Sequence, residues 1–246
     1  MADKKGNKDK FSCEHEPLIF IDPDHIILDE LHLLLRVMDV LLENIVLECI
    51  DWDKSDNFNK RKCEQTCHHQ TKLLQTIRLC GASFDIWEKK NADGKGTGLY
   101  DFTSLLGADK KKLLLELPDK LQECIKNETC ATVADIWKMF GEHYSIISAS
   151  KESQVNAVEY FAKAKSWICL FTSLRDKIKG YKRARVTPYM HSLVYHVPGF
   201  ITKYKSVKIF TGQGVEKNND VARNVVLSKS NKRDPATDVI RLESRQ

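Results

Sequence analysis

The sequence predicts a mostly α protein, a helical bundle with one or two short strands. Three observations carry that prediction. The stretch "LDELHLLLRVMDVLLENIVLECI" has apolar residues at helical spacing over many turns. Only 6 prolines and 11 glycines occur in 246 residues, so long helices run without interruption. Strand-like text is scarce, and Pro17-Leu18-Ile19-Phe20-Ile21 is its best example.

The elements follow in order. Residues 1–15 are a polar lead, expected to be mobile. After the short strand, Asp22, Pro23 and Asp24 turn the chain, and a helix starts near Asp29. Leu31, Leu34, Leu35, Met38, Leu41, Leu42 and Ile45 form its apolar face, and Asp29, His32, Arg36, Asp39 and Glu43 form a polar stripe opposite the core. Residues 51–60 read as an acidic loop. Asp51, Asp53 and Asp56 do not make a calcium loop, because its central glycine and closing glutamate are missing. Helices are expected over residues 62–80 and 84–90, with "NADGKGTG" at 91–98 as a linker. Short helices broken by Pro118 fill 99–126, and longer ones cover 135–147 and 151–179. In the last of these Val155, Val158, Phe161, Ala162, Ile168 and Phe171 are the inward candidates. Residues 189–196 are helical after Pro188, 207–210 read as extended, and a final helix spans 215–228.

Hydrophobic residues make up 42% and charged residues 30%, the balance of a folded soluble chain. No apolar run reaches the roughly 18 to 20 residues that span a bilayer, so no membrane partner is expected. The opening MADKKGNKDK carries charge but no apolar segment follows it, which points to an intracellular protein. The eight scattered cysteines fit buried thiols or metal ligands better than a disulfide scaffold. The net charge is +5, and from Arg175 onward sixteen Lys or Arg face six Asp or Glu. Such a basic third suits a polyanion, with nucleic acid first. In "KGYKRARVTPY", Lys179, Lys182, Arg183 and Arg185 are the candidate phosphate contacts.

Several residues are able to carry chemistry, each with a plainer reading beside it. Asp29 is a helix N-cap or an oxygen ligand for a hard divalent metal. Glu216, in "GQGVEKNND", is a first-turn helix acid or a second ligand. Gly212 and Gly214 before it permit close approach of a backbone or ligand, and Asn218, Asn219 and Asp220 after it are weak helix formers. His191 and His196 are five positions apart, about 140° around a regular helix. They converge only if the helix distorts, as it would near Pro198. Cys63 and Cys67 share a face if residues 62–80 are helical, and with the two histidines they would make a Zn²⁺ staple. Separately buried thiols and imidazoles explain the same residues. No phosphate loop and no glycine-flanked nucleophile elbow occurs.

The text "IILDELHLLLRVMDVLLENI" resembles the second-aspartate segment of eukaryotic cut-and-paste DNA transposases with an RNase H-like catalytic fold, and "TPYMHSLVYHVPGFITKYKSVKIFTGQGVEKNND" resembles their closing segment. The likeness covers residues 17–48 and 185–230 and extends to the hAT-like and the Transib or recombination-activating groups. It implies a partial RNase H-like core: a strand-helix unit at 16–48, a helical insertion at 49–184, the histidine segment and glutamate helix at 185–230, and a tail at 231–246. Asp29 and Glu216 would then be the second and third Mg²⁺-binding carboxylates of a two-metal phosphoryl transfer, His32 the partner histidine of the D-x-x-H motif, and DNA the substrate in a nuclear setting. Only 28 residues precede Asp29, fewer than the opening sheet with the first aspartate requires. The expectation is therefore a transposase-derived DNA-binding fragment without cleavage activity alone, able to form a homo-oligomer. The competing reading is a non-enzymatic helical interaction module, zinc-stapled or not, with a basic C-terminal surface for nucleic acid or protein. Under the first reading Asp29 and Glu216 lie together, and under the second they are unrelated caps.

Overall fold

In the computed structural model, the described residues are 27–149, 156–229 and the isolated tail positions 233, 234, 237 and 241. The expected strand at 17–21 lies outside them. Within them eight α-helices and one hairpin follow in the order α1 (Glu30–Asp56), α2 (His68–Leu79), β1 (Ile86–Lys90), β2 (Gly96–Phe102), α3 (Gly107–Glu116), α4 (Asn127–Ile147), α5 (Ala157–Ser173), α6 (Pro188–Tyr195), α7 (Val197–Tyr204) and α8 (Gln213–Asn224). No helix among them is long and apolar enough to cross a membrane.

Helix α1 is the axis of the bundle. Its 27 residues span about 40 Å, and fifteen of them are buried, including Glu30, Asn44, Glu48 and Asp53. Helices α2, α3, α4 and α6 and the turn Lys179–Tyr181 all pack on it. The helix does not stop at residue 50. It runs on through the expected acidic loop, because the buried Asp53 accepts hydrogen bonds from the backbone N–H of His69 (2.9 Å) and Gln70 (3.0 Å) and so caps α2. The boundary drawn at residues 48 and 49 therefore falls inside one continuous helix.

The polar stripe on α1 is half-exposed, with Arg36 in solvent and Asp29, Asp39 and Glu43 engaged by other segments. Asp39 binds the Nζ of Lys110, a buried lysine that also reaches the carbonyl of Leu35 at 3.2 Å. Glu43 pairs with Arg185. Asn44 donates to the Gly180 carbonyl at 3.1 Å, and a Cβ on Gly180 would stand 2.1 Å from the Asn44 Oδ1. Only glycine lets this turn approach the helix so closely.

Where a helix over 84–90 is expected, residues 86–90 form a strand, and 91–98 is its turn and the start of β2, not a linker. Ile86 pairs with Phe102, Trp87 with Asp101 and Glu88 with Tyr100 in an antiparallel register. The turn is chemically specified: Asn91 Oδ1 accepts from the N–H of Asp93 (3.1 Å) and of Lys95 (2.8 Å), and Gly94 takes φ +75°. Ile86, Tyr100 and Phe102 pack against the core, while Trp87 and Leu99 face out.

Helix α4 starts at Asn127, earlier than its periodicity suggests, and α5 ends at Ser173. The inward residues of α5 are Tyr160, Ala164, Trp167 and Phe171, whereas Val158 is 74% exposed and Ala162 is exposed too. The large rings take the interior because each buries more area than a valine does. Trp167 donates its indole N–H to the Ile136 carbonyl at 2.9 Å, and stacked or tilted rings run from Phe140 through Trp167 and Phe171 to Tyr181. Residues 207–210 end in a short 3-10 turn, Lys208–Phe210, in place of the expected extended piece.

Between α4 and α5 lies the buried His143, edge-on to Tyr160 and Trp167. Burial, with the nearby Lys163 charge, pushes its pKa down from 6.5 to about 4. Above pH 6.5 the imidazole is neutral in both the folded and the unfolded chain. As the pH falls toward 4, the unfolded chain takes up a proton that the folded chain refuses, and stability falls. Between pH 7 and pH 4.5 this group should cost about 2–3 kcal/mol. Urea unfolding at the two pH values should show the His143→Leu variant losing that much less than the wild type.

Candidate functional site

The site predicted from the two ends of the chain begins at Asp29. As the N-cap of α1 it has extended backbone, and its Oδ1 accepts from the Leu31 N–H at 3.1 Å. The same Oδ1 accepts from the Gly212 N–H at 3.1 Å, 183 positions away. Gly212 is the residue immediately before α8, and Glu216 lies in the first turn of that helix. The carboxylate of Asp29 thus stands at the N-termini of two helices, where the unsatisfied amides and both macrodipoles favour negative charge. His32, one turn along α1, places its Nδ1 on the other carboxylate oxygen.

Gly212 is required by this geometry and Gly214 is not. A Cβ on Gly212 would lie 2.9 Å from the Asp29 Oδ2, whereas one on Gly214 would meet nothing within 4 Å. Asn219 is exposed on α8, and its neighbour Asp220 pairs with Arg223 at 2.7 Å, which supports a helix that its asparagines weaken.

Burial would raise the pKa of Asp29, but the hydrogen bonds from His32, Gly212 and Leu31 outweigh it and hold the carboxyl below its ordinary value. The group is charged at neutral pH. A carboxylate offers about four acceptor positions, and two on Oδ1 and one on Oδ2 are committed to protein donors. Roughly one remains for a metal or a ligand.

The histidine pair behaves as the proline suggested. His196 falls in the break between α6 and α7, with φ −104° and ψ −38°, and the rings of His191 and His196 come to 5.4 Å between centroids. The cysteines do not share a helical face. Cys63 sits in the 3-10 turn Lys62–Glu64, Cys67 precedes α2, and both are exposed on the segment between α1 and α2. Among the described residues no three His, Cys, Asp or Glu side chains gather in a group that would hold a metal ion.

The basic connection is pinned from below. Gly180 and Tyr181 are buried, and Tyr181 packs on Phe171 with centroids 4.8 Å apart. Lys179, Lys182, Arg183 and Arg185 are all left exposed. Arg185 pairs with Glu43 across a half-exposed contact. Lys179, Lys182 and Arg183 have no carboxylate partner among the described residues. The pairing of Arg185 with the α1 stripe was legible only in part: Glu43 was visible as a polar residue, its partner 142 positions away was not.

No family model, no curated protein and no solved structure matches this chain.

Two substitutions test the junction. Asp29→Ala removes an N-cap and the acceptor for Gly212, and should destabilise the protein by about 1–3 kcal/mol. Gly212→Ala should cost about 1–2 kcal/mol, since the Asp29 carboxylate must give way and lose hydrogen bonds. Because the carboxyl is depressed in the folded state, this stabilisation is complete above the ordinary aspartate pKa and fades as the pH drops below it. Urea midpoints for both variants, at neutral pH, measure the effects.

Proposed function

We propose that the chain is a transposase-derived DNA-binding fragment, related to two-metal DNA cleavage and strand transfer and acting by binding rather than by cutting. The observation that carries this reading is the contact of Asp29 with Gly212. The D-x-x-H helix start and the glycine turn before Glu216, the two segments that resemble the transposase motifs, meet at one point although 183 positions separate them. In the related chemistry, carboxylates at Asp29 and Glu216 would hold Mg²⁺, which activates a water or a DNA 3′-hydroxyl and stabilises the leaving oxygen.

The donors already on Asp29 argue for binding over cutting. A carboxylate with three protein donors is a weaker ligand for a divalent ion than an open one. The exposed cations Lys179, Lys182 and Arg183, without carboxylate partners among the described residues, stand ready for phosphates, which supply affinity without sequence choice. A nuclear setting follows from this reading.

The test is binding of duplex DNA by the purified protein, followed by fluorescence anisotropy. With three phosphates neutralised, affinity should fall about 40-fold between roughly 50 and 200 mM salt. Replacing Lys179, Lys182 and Arg183 by alanine should flatten that dependence. No nicking should accompany binding when Mg²⁺ is present. Affinity that ignores salt would leave the helical interaction module as the better reading, and Mg²⁺-dependent nicking abolished by Glu216→Gln would show an active nuclease.

A further inference from the structure

A groove of about 440 Å³ lies beside the basic connection, between α5 and α6. Ile168, Cys169 and Thr172 form one wall, Met190, His191, Val194 and Tyr195 the other, and Arg183 with Val186 closes the end. Three features of this groove are chemical. No Asp or Glu lines it. Its one guanidinium, Arg183, has no carboxylate partner among the described residues and is followed along the chain surface by the exposed Lys182 and Lys179. Two of its lining residues, Tyr195 and His191, belong to a run of rings: Tyr195 is 54% exposed, 4.7 Å from His191 and 5.9 Å from Phe161 between centroids, and His191 meets His196 at 5.4 Å.

We infer that this groove binds single-stranded DNA, with a base stacked on Tyr195 inside the slot and its phosphates tracked by Arg183, Lys182 and Lys179. This deepens the reading of the chain as a DNA-binding fragment and rests on it. The rings and the cation line are the two halves of a single-strand site, since every base has a face to stack and every nucleotide a phosphate to neutralise. Duplex DNA fits the groove poorly, because its bases are already stacked on one another and cannot reach Tyr195. A free mononucleotide would use Arg183 and leave the two lysines idle. The volume suits one base, and the walls are apolar where the base would lie and positive where its phosphate would emerge.

Anisotropy with a fluorescein-labelled oligothymidylate and with a duplex of equal length tests the proposal. The oligothymidylate should bind more tightly than the duplex. Tyr195→Ala should weaken the oligothymidylate about 5- to 100-fold, Tyr195→Phe should retain it, and neither should alter duplex affinity. A second readout needs no substitution. Cys169 is exposed on the groove wall, and Cys63 and Cys67 are exposed elsewhere. Alkylation mapped by mass spectrometry should slow at Cys169 when oligothymidylate is bound and stay constant at Cys63 and Cys67. If duplex binds but Tyr195→Ala leaves the oligothymidylate unaffected, or Cys169 reacts at its free rate, the groove is not the site and the fragment reading stands without it. If neither nucleic acid binds, both readings fall.

Discussion

A helix buried on nearly every side must have its polar groups answered, and that requirement organises this protein. Helix α1 carries Asp29, Asp39, Glu43, Asn44, Glu48 and Asp53 into contact with other segments. Their partners come from five places: the turn before α8, Lys110 of α3, Arg185 and Gly180 of the basic connection, Thr129 of α4, and the first amides of α2. The apolar residues between them supply most of the stabilisation. The polar ones set the register, because a buried acid or amide left without its partner costs about 1–3 kcal/mol. A shift of one turn in any neighbour would break its match. Glu48 shows the tension directly: burial pushes its carboxyl upward in pKa, while Thr129 donates to it at 2.6 Å and keeps it supplied with a hydrogen bond.

The start of α1 was legible in the sequence because an N-cap and an apolar period are local signals. Its full length was not. The aspartates at 51, 53 and 56 look like a loop until Asp53 is seen as the cap of another helix, and that pairing is long-range. The hairpin was missed for a different reason. β1 reads "IWEKK", with one partly buried position and four exposed ones, so alternation is absent. The informative signal was Asn91 followed by Asp93-Gly94, a hairpin turn with its own hydrogen-bond chemistry. The motifs at the two ends raise the expectation that Asp29 and Glu216 lie together, and the contact observed is that of Asp29 with Gly212, the residue before the Glu216 helix. Which of the two glycines mattered was not legible, since only the approach of the carboxylate separates Gly212 from Gly214.

The candidate site has a consistent physical character. Asp29 is held charged at the N-termini of α1 and α8, and the same donors that hold it occupy most of its acceptor capacity. A residue of that kind staples two distant segments of the chain together. The cationic surface lies instead on the connection between α5 and α6, raised on the buried Gly180 and Tyr181 and continued by the ring-lined groove. Fold and surface are therefore linked through α1, which anchors Asp29 at one end and the basic connection near its middle.

The central claim is that Asp29 ties the glycine turn to α1, and amide hydrogen exchange at Gly212 reads it most directly. In the wild type the Gly212 amide should be protected. In Asp29→Ala its exchange should accelerate at least about tenfold, in keeping with a lost hydrogen bond of about 1.4 kcal/mol or more, while core amides such as those of Val37 and Leu41 lose only the protection that the fall in global stability removes. A Gly212 amide that exchanges freely in the wild type, or at the same protected rate in both proteins, would contradict the account.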